Sequence, residues 1–307
     1  MPDLLQIGGI TDAMQARLEV AFTIHQLDNF EPEKITHVIT NGHDGVNPDL
    51  MTSLTNLKVI SGYGVGYDAV DANEAARRGI YVTHTPNVLN EEVATTALLL
   101  MLTCYREALR DDAYVRSGAW ETKGNAPLTR SAENQTVGIL GLGRIGQAIA
   151  NKLAPWNANI VYHSRNKKDV SYTYYDNLTT MALDCDVLIC ITPGGPSTNK
   201  IVNKEVMEAL GPTGTLINVS RGSVVDEAAM IEALQMGTMG WAGLDVFEAE
   251  PSVPQALRDL PNTVLLPHVG SATVETRAAM GALTVDNLLQ HLKDGNVISA
   301  VPECAHL

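Results

Sequence analysis

Short apolar runs, each bordered by Gly, Ser, Thr or Asn, alternate along the chain with longer stretches of mixed polarity. In the first third these runs are Leu4–Ile10, His37–Asn41, Leu57–Ser61 and Ile80–Thr83. Their length and punctuation predict strands, and the stretches between them predict helices. Alternation of this kind predicts parallel sheets with helices on both faces, because the link between two parallel strands must run back over the sheet. A long helical stretch follows from Asn90 to Gly118, opening on a capping Asn90 with Glu91 and Glu92 in its first turn and closing on a glycine. Ala119–Asn134, with Trp120 and Pro127, reads as an irregular connection. A second alternating series then predicts strands at Thr136–Leu140, Asn159–His163, Val187–Thr192, Thr215–Val219, Gly240–Asp245 and Thr263–Leu266. A last helical stretch, Thr273–Lys293, leads the chain back to the first domain. The expected fold is α/β, with two doubly wound parallel-sheet domains, the first built from both chain ends, and a cleft between them.

The 307 residues suit about two domains at roughly 150 residues each. With 45% apolar and 18% charged residues the chain can fill real cores, which excludes global disorder. Lys and Arg number 21 against 35 Asp and Glu, a net charge of −14, so neither nucleic acid nor an anionic membrane is an expected partner. The most apolar uncharged stretch, Val93–Tyr105, is well short of the roughly 20 residues of a membrane span and predicts a buried helix. Asp3 stands where a secretory signal carries positive charge, so a cytoplasmic location is expected. Cys104, Cys185, Cys190 and Cys304 form no CxxC pair, which predicts reduced thiols and no metal site.

Strand Thr136–Leu140 runs into Gly141-Leu142-Gly143-Arg144-Ile145-Gly146, and a helix-compatible stretch follows. GxGxxG between strand and helix is the context of a dinucleotide site: Gly141 for the tight turn, Gly143 for approach of a pyrophosphate, and Gly146 for close helix packing. The first helical amides, including those of Arg144 and Ile145, then face the anion. About 20 residues on, where an NAD site usually carries an acid, the chain reads His163-Ser164-Arg165-Asn166-Lys167-Lys168. A carboxylate would repel a 2′-phosphate, whereas Ser164, Arg165 and Lys167 can hold one, so NADP(H) is the expected cofactor, with NAD(H) the alternative. A solvated loop of basic residues with no specific role is the plainer reading of the same stretch.

Three segments each end an expected strand of the second series: LINVSRG with Arg221, GLDVFEAEP with Asp245 and Glu250, and LPHVGSAT with His268. Parallel sheets bind ligands outside the carboxyl ends of their strands, so all three are expected to face the nicotinamide. Arg, His and Glu gathered there suit reduction of a 2-oxo acid. The Arg clamps the carboxylate and polarises the keto oxygen, the His donates a proton to it, and the Glu orients the imidazole and favours its charged form. Taken singly, each has a plainer reading as a surface ion pair, a loop charge or a strand-end histidine. The Gly64-Val65-Gly66 loop after Leu57–Ser61 can hold a carboxylate on its backbone amides, or it is an ordinary strand-to-helix turn.

The segments GLGRIGQ (Gly141–Gln147), NVSRG (Asn218–Gly222), GLDVFEAEP (Gly243–Pro251) and PHVGSAT (Pro267–Thr273), with KVISGYGVGYDAVD (Lys58–Asp71) upstream, resemble those of the D-isomer-specific 2-hydroxyacid dehydrogenase family over nearly the full length. The resemblance implies Arg221 as substrate arginine, His268 as acid and base, Glu250 as the carboxylate that orients it, and Gly64, Val65 and Gly66 as carboxylate ligands. It places Asp245 by the nicotinamide carboxamide and completes the cofactor set with Thr192, Pro193, Val219, Ser220, His268 and Gly270. It further implies a flavodoxin-like substrate domain from residues 1–97 and 284–307, a Rossmann cofactor domain over 98–283, and a homodimer with Trp120 near its interface; a plain core tryptophan is the other reading of Trp120. Within the family the HSRNKK stretch resembles NADPH-linked reductases of glyoxylate, hydroxypyruvate and hydroxyphenylpyruvate. The expected activity is therefore NADPH-dependent reduction of a small 2-oxo acid, glyoxylate or hydroxypyruvate first, to the D-2-hydroxy acid. The rivals are an NAD-linked dehydrogenase for another 2-hydroxy acid, a ketogluconate or hydroxyphenylpyruvate reductase, and, from another class, a cofactor-sensing corepressor-like binding module.

Overall fold

The computed structural model describes all 307 residues, which divide into two compact units: Met1–Leu89 with Ala272–Leu307, and Asn90–Ser271. From sequence the divisions are expected at 97/98 and 283/284; in the structure they fall at or just ahead of helix starts, so that Asn90–Tyr105 and Val274–Asp294 each remain whole. No helix is long and apolar enough to cross a membrane.

The first unit holds β1 (Asp3–Gln6), β2 (Thr23–Gln26), β3 (Ile35–Asn41), β4 (Val59–Tyr63) and β5 (Tyr81–Thr83). All pair in parallel, in the order β2-β1-β3-β4-β5, which is the flavodoxin-like order. Central β3 buries Ile35 and then His37, Val38, Ile39 and Thr40 in succession, as a strand covered on both faces must. Its two buried polar side chains are partnered: Thr40 Oγ1 donates to Gly45 O at 2.9 Å, and His37 has Nδ1 2.8 Å from Thr36 Oγ1 and Nε2 2.9 Å from His291 Nδ1. The helix Val274–Asp294 is capped by Thr273, whose hydroxyl accepts from Thr276 N, and ends at Gly295 with φ +80°. It lies against β4, where Ser61 Oγ donates to Thr284 O at 2.8 Å. Beyond it the chain returns to β5 through an antiparallel bridge between Thr83 and Ala300.

The second unit holds β6 (Thr136–Leu140), β7 (Asn159–His163), β8 (Thr173–Tyr175), β9 (Val187–Cys190), β10 (Thr215–Asn218), β11 (Trp241–Leu244) and β12 (Thr263–Leu265). The order β12-β11-β10-β9-β6-β7-β8 is again all parallel, and the direction of winding reverses between β6 and β9. That reversal is the switch point at which open α/β sheets bind ligands. Every residue of β9 (VLIC) and β10 (TLIN) is buried; β9 reads as a continuous apolar run, and β10 as an apolar Leu216-Ile217 pair between the buried polar residues Thr215 and Asn218.

The single helix expected over Asn90–Gly118 is two, Asn90–Tyr105 and Ala108–Arg116, and the connection expected to be irregular opens with a third, Ala119–Lys123. Glu107 adopts φ +44°, outside the helical region, and pairs with Arg110 at the start of the next helix. The returning segment secures the break: Arg106 Nε donates to Thr129 Oγ1 at 3.1 Å, and the Arg130 guanidinium stands 4.3 Å over the Tyr105 ring. The strands not foreseen, β2 and β8, are the outermost strand at one side of each sheet. Both are short and only half-buried, so they lack the apolar signature of their central neighbours.

Candidate active site

At the switch point β6 passes into the glycine-rich turn and the helix Arg144–Leu153. Gly141 has φ +103°, and a Cβ there would lie 2.8 Å from Thr192 N, so turn shape and contact with the loop after β9 both require glycine. A Cβ on Gly146 would lie 2.4 Å from Gly141 O, which is how closely the helix docks on the turn. A Cβ on Gly143 would meet nothing within 4 Å, so open space lies over the turn's backbone. The first helical N–H groups, those of Arg144, Ile145 and Gly146, lack intrahelical acceptors, and no acid occupies that turn. A tight turn, an open approach and a positive helix end fit the pyrophosphate of a dinucleotide.

The basic stretch leaves the neighbouring strand β7. Arg165, Lys167 and Lys168 are exposed there, as a groove for an added phosphate requires. The fully buried Tyr162 holds the loop: its hydroxyl accepts from Lys168 N at 2.8 Å and donates to Lys168 O at 3.3 Å. Ser164 Oγ donates to Asn166 O at 2.7 Å, so the hydroxyl expected on a phosphate instead closes the loop. Gly141 N donates to His163 O at 2.9 Å, joining this strand end to the phosphate turn. Thr192 and Pro193 follow β9, where the Pro193 carbonyl accepts from Thr198 Oγ1 at 2.7 Å.

The three segments that carry Arg221, Glu250 and His268 lie at the carboxyl ends of β10, β11 and β12, successive neighbours in the sheet. After β10, Asn218 forms a tight polar turn: its Oδ1 accepts from Ser220 N (3.0 Å) and Ser220 Oγ (2.6 Å), and its Nδ2 donates to Arg221 O (2.9 Å). Arg221 is thereby presented, in extended backbone, as the residue just before a short 3-10 turn, Gly222–Val224, one of its Nη atoms donating to Ser220 O at 2.8 Å. Gly222 follows with no room for a side chain, since a Cβ would lie 1.9 Å from the Phe247 carbonyl. The β10 and β11 loops are therefore packed backbone to backbone. Val219 and Ser220 are buried between them, and Val219 N donates to Cys190 O at 3.2 Å.

Asp245 directly follows β11 and is 2% exposed. Its carboxylate accepts from Val269 N at 2.7 Å and Gly270 N at 2.8 Å, while its carbonyl accepts from His268 N at 2.8 Å. Burial pushes its carboxyl above the usual range, opposed by those two amides and the nearby His268. One side chain thus clamps the entire His268 loop. His268 stands at φ +52°, a conformation that costs a non-glycine residue on the order of 1–3 kcal/mol and that the loop must hold in place. Its Nδ1 lies 2.7 Å from Glu250 Oε2, and Glu250 Oε1 accepts from Phe247 N at 3.0 Å. Glu250 is largely buried (18% exposed side chain), His268 more open (45%), so the imidazole is held from behind with its other edge available. A pocket of about 250 Å³ with Phe247, Val253 and Leu265 in its wall borders the pair.

The expected second-unit residues are brought together as two clusters, one around the phosphate turn and one around Arg221, Glu250 and His268. Gly64, Val65 and Gly66 lie in the first unit, after β4. Sequence reasoning assigned no role to Asn218 or Gly222 and did not foresee the double amide grip of Asp245. The Asn-x-Ser spacing is itself a signature of an Asx turn and was the available signal for Asn218.

Residues 98–270 match the family described as "D-isomer specific 2-hydroxyacid dehydrogenase, NAD binding domain". The chain is 41% identical over 306 residues to a 2-ketogluconate reductase of Gluconobacter oxydans, covering 98% of both chains. It is 45% identical over 268 residues to a glyoxylate/hydroxypyruvate reductase of Arabidopsis thaliana, covering 87% of this chain and 85% of that one. Among solved structures, an NADPH-dependent glyoxylate/hydroxypyruvate reductase of Sinorhizobium meliloti, in complex with NADP and malonate, superposes with a TM-score of 0.93. The two share 44% identity over 99% of this chain and 97% of that one.

Proposed function

Because the chain belongs to the D-isomer-specific 2-hydroxyacid dehydrogenase family, we propose that it is an NADPH-dependent reductase of small 2-oxo acids, glyoxylate or hydroxypyruvate first, yielding the D-2-hydroxy acid. The observation that carries the reading is the charge-assisted geometry at the sheet end: Glu250 Oε2 2.7 Å from His268 Nδ1, beside Arg221 on the neighbouring strand ends. When bound, the reduced nicotinamide supplies the hydride. Arg221 holds the substrate carboxylate and draws negative charge onto the keto oxygen. His268 Nε2 donates a proton to that oxygen as it gains charge. Glu250 keeps Nδ1 protonated, so that Nε2 is the edge that delivers. Asp245 holds the loop at Val269 and Gly270 and faces the carboxamide. The cofactor would be held by Gly141, Gly143 and Gly146, with the Arg144 and Ile145 amides for its pyrophosphate, by Thr192, Pro193, Val219, Ser220 and Gly270, and by Arg165 and Lys167 for its 2′-phosphate, while the Ser164 hydroxyl, bonded to Asn166 O, shapes the loop that presents them. Support for NADP over NAD comes from the exposed basic loop and from the S. meliloti structure with NADP. The Gly64–Gly66 amides are assigned to the substrate carboxylate.

We assign the unit Met1–Leu89 with Ala272–Leu307 to substrate binding and Asn90–Ser271 to the cofactor, in a cytoplasmic homodimer. The apolar side chains of Leu99, Leu109, Val115, Trp120 and Leu128 are each more than half exposed and would gain from burial by a second copy, testable by sedimentation. A second reading, 2-ketogluconate reduction, is favoured by the end-to-end match to the G. oxydans enzyme. Turnover of glyoxylate, hydroxypyruvate, pyruvate, hydroxyphenylpyruvate and 2-ketogluconate with each nucleotide decides among these. The proposal expects NADPH oxidation with glyoxylate or hydroxypyruvate at the highest kcat/KM. A lead for 2-ketogluconate refutes the substrate, a lead for NADH refutes the cofactor, and NADPH binding without any turnover favours a binding module.

A further inference from the structure

β4 ends at Tyr63, and the chain turns through Gly64, Val65 and Gly66 alongside the residues that follow β5. Thr85 N donates to Gly64 O at 2.8 Å, and His84 Nδ1 lies 3.0 Å from Val65 O. A carbonyl oxygen only accepts, so Nδ1 of His84 carries the hydrogen. In a trans peptide the N–H points opposite to the C=O of the same plane. With the Gly64 carbonyl drawn toward Thr85, the Val65 N–H points away from the His84–Thr85 segment. With the Val65 carbonyl drawn toward His84, the Gly66 N–H does the same. Two successive amides with their carbonyls tied back make an anion-binding concavity. The first is set by a backbone donor, which almost any residue at position 85 supplies. The second is set by a side chain alone.

We propose that His84 is a positioning residue: its Nδ1–H fixes the Val65–Gly66 peptide so that both amides of the Gly64–Gly66 loop are aimed at the carboxylate of the 2-oxo acid. The inference rests on the reading of this loop as a carboxylate site. His84 is itself held on several sides. Its N donates to Ser299 O at 3.2 Å and its carbonyl accepts from Ser299 Oγ at 2.7 Å. Ser299 is tied in turn to the wholly buried Asn287 of the C-terminal helix, whose Oδ1 accepts from Ser299 N and whose Nδ2 donates to Ser299 Oγ, both at 2.9 Å. The imidazole packs edge-on to Tyr67, with ring centroids 5.6 Å apart at 88°, and the Tyr67 hydroxyl donates to Glu303 at 3.1 Å. The returning C-terminal segment thus holds the residue that sets the loop.

The carboxylate is present in ground and transition states alike, so loss of its seat raises KM and leaves kcat in place. His84→Leu removes the donor, and His84→Asn keeps a side-chain N–H near the position of Nδ1. For each we would measure kcat and KM for glyoxylate with NADPH, the Kd of oxalate in the presence of NADP, and the Kd of NADPH alone. The expected result is about a tenfold rise in KM and in the oxalate Kd for His84→Leu. Its kcat should stay within about twofold of the parent, with NADPH affinity unchanged, and His84→Asn should recover most of the loss. The proposal is overturned if His84→Leu leaves KM and oxalate binding as they were, if His84→Asn is as impaired as His84→Leu, or if NADPH affinity falls in step. Failure of the underlying reading looks different: the unsubstituted protein would then neither bind oxalate nor reduce glyoxylate.

Discussion

Glu250→Gln isolates the role of the carboxylate without changing the size of the side chain. In the structure both carboxylate oxygens accept, one from Phe247 N at 3.0 Å and one from His268 Nδ1 at 2.7 Å. Glutamine has one acceptor oxygen. If it serves Phe247, the amide NH₂ faces Nδ1 and forces that nitrogen to give up its hydrogen. If it serves His268, the NH₂ faces the Phe247 N–H and a donor goes unmet. Either way a charge-assisted bond worth roughly 1.5–3 kcal/mol becomes a neutral one of about 0.5–1.5 or is lost. The difference, on the order of 1–2 kcal/mol, is about five- to thirtyfold in the rate of a step that needs the protonated ring. Steady-state reduction of glyoxylate, with NADPH Kd as a control, reads the loss. Unchanged kcat, or a loss confined to NADPH affinity, would refute the role.

Arg165→Ala should weaken NADPH by about tenfold or more and NADH hardly at all, since only the former carries the phosphate; equal losses in a fluorescence titration would detach this side chain from the phosphate. Gly146→Ala puts a methyl 2.4 Å from the Gly141 carbonyl. The turn and helix must separate, at a cost of roughly 1–3 kcal/mol, so both the melting temperature and NADP(H) affinity should fall. His37 gives a pH dependence in the first unit. Burial, with His291 and Lys58 adding to it, pushes its imidazole down to about 3, far below the usual 6.5 or so. Below about pH 6.5 the unfolded chain takes up a proton that the folded chain refuses, so stability is full above that pH. It should then decline toward pH 3 by up to about 1.4 kcal/mol per unit. Urea unfolding at several pH values should show this slope, and His37→Gln should flatten it.

The interior of both sheets was legible from sequence because parallel strands covered on both faces must be apolar throughout. Thr136–Leu140 and Asn159–His163 fall on β6 and β7 to the residue. The edge strands β2 and β8 were not legible, since a half-exposed strand of TIHQ or TYY type carries no such pattern. The break at Glu107 was hidden because tertiary contacts of Arg106 and Arg130 settle it rather than local preference. At the site, the chemistry-bearing residues Arg221, Glu250 and His268 stood out by type and by their place after strands. The residues that hold them were less visible. Asp245 as a clamp on two amides, Gly222 against Phe247 and the left-handed His268 are facts of packing between segments distant in sequence.

The most direct test of the central claim is a crystal structure of the protein with NADP and oxalate, an unreactive mimic of glyoxylate. The account predicts the Arg221 guanidinium on the oxalate and His268 Nε2 at about 2.6–3.2 Å from the oxygen that stands for the keto group. The adjoining carbon should lie about 3–3.5 Å from the nicotinamide carbon that carries the hydride. Oxalate bound elsewhere, or Arg221 and His268 turned away from it while the nicotinamide is in place, would contradict the account.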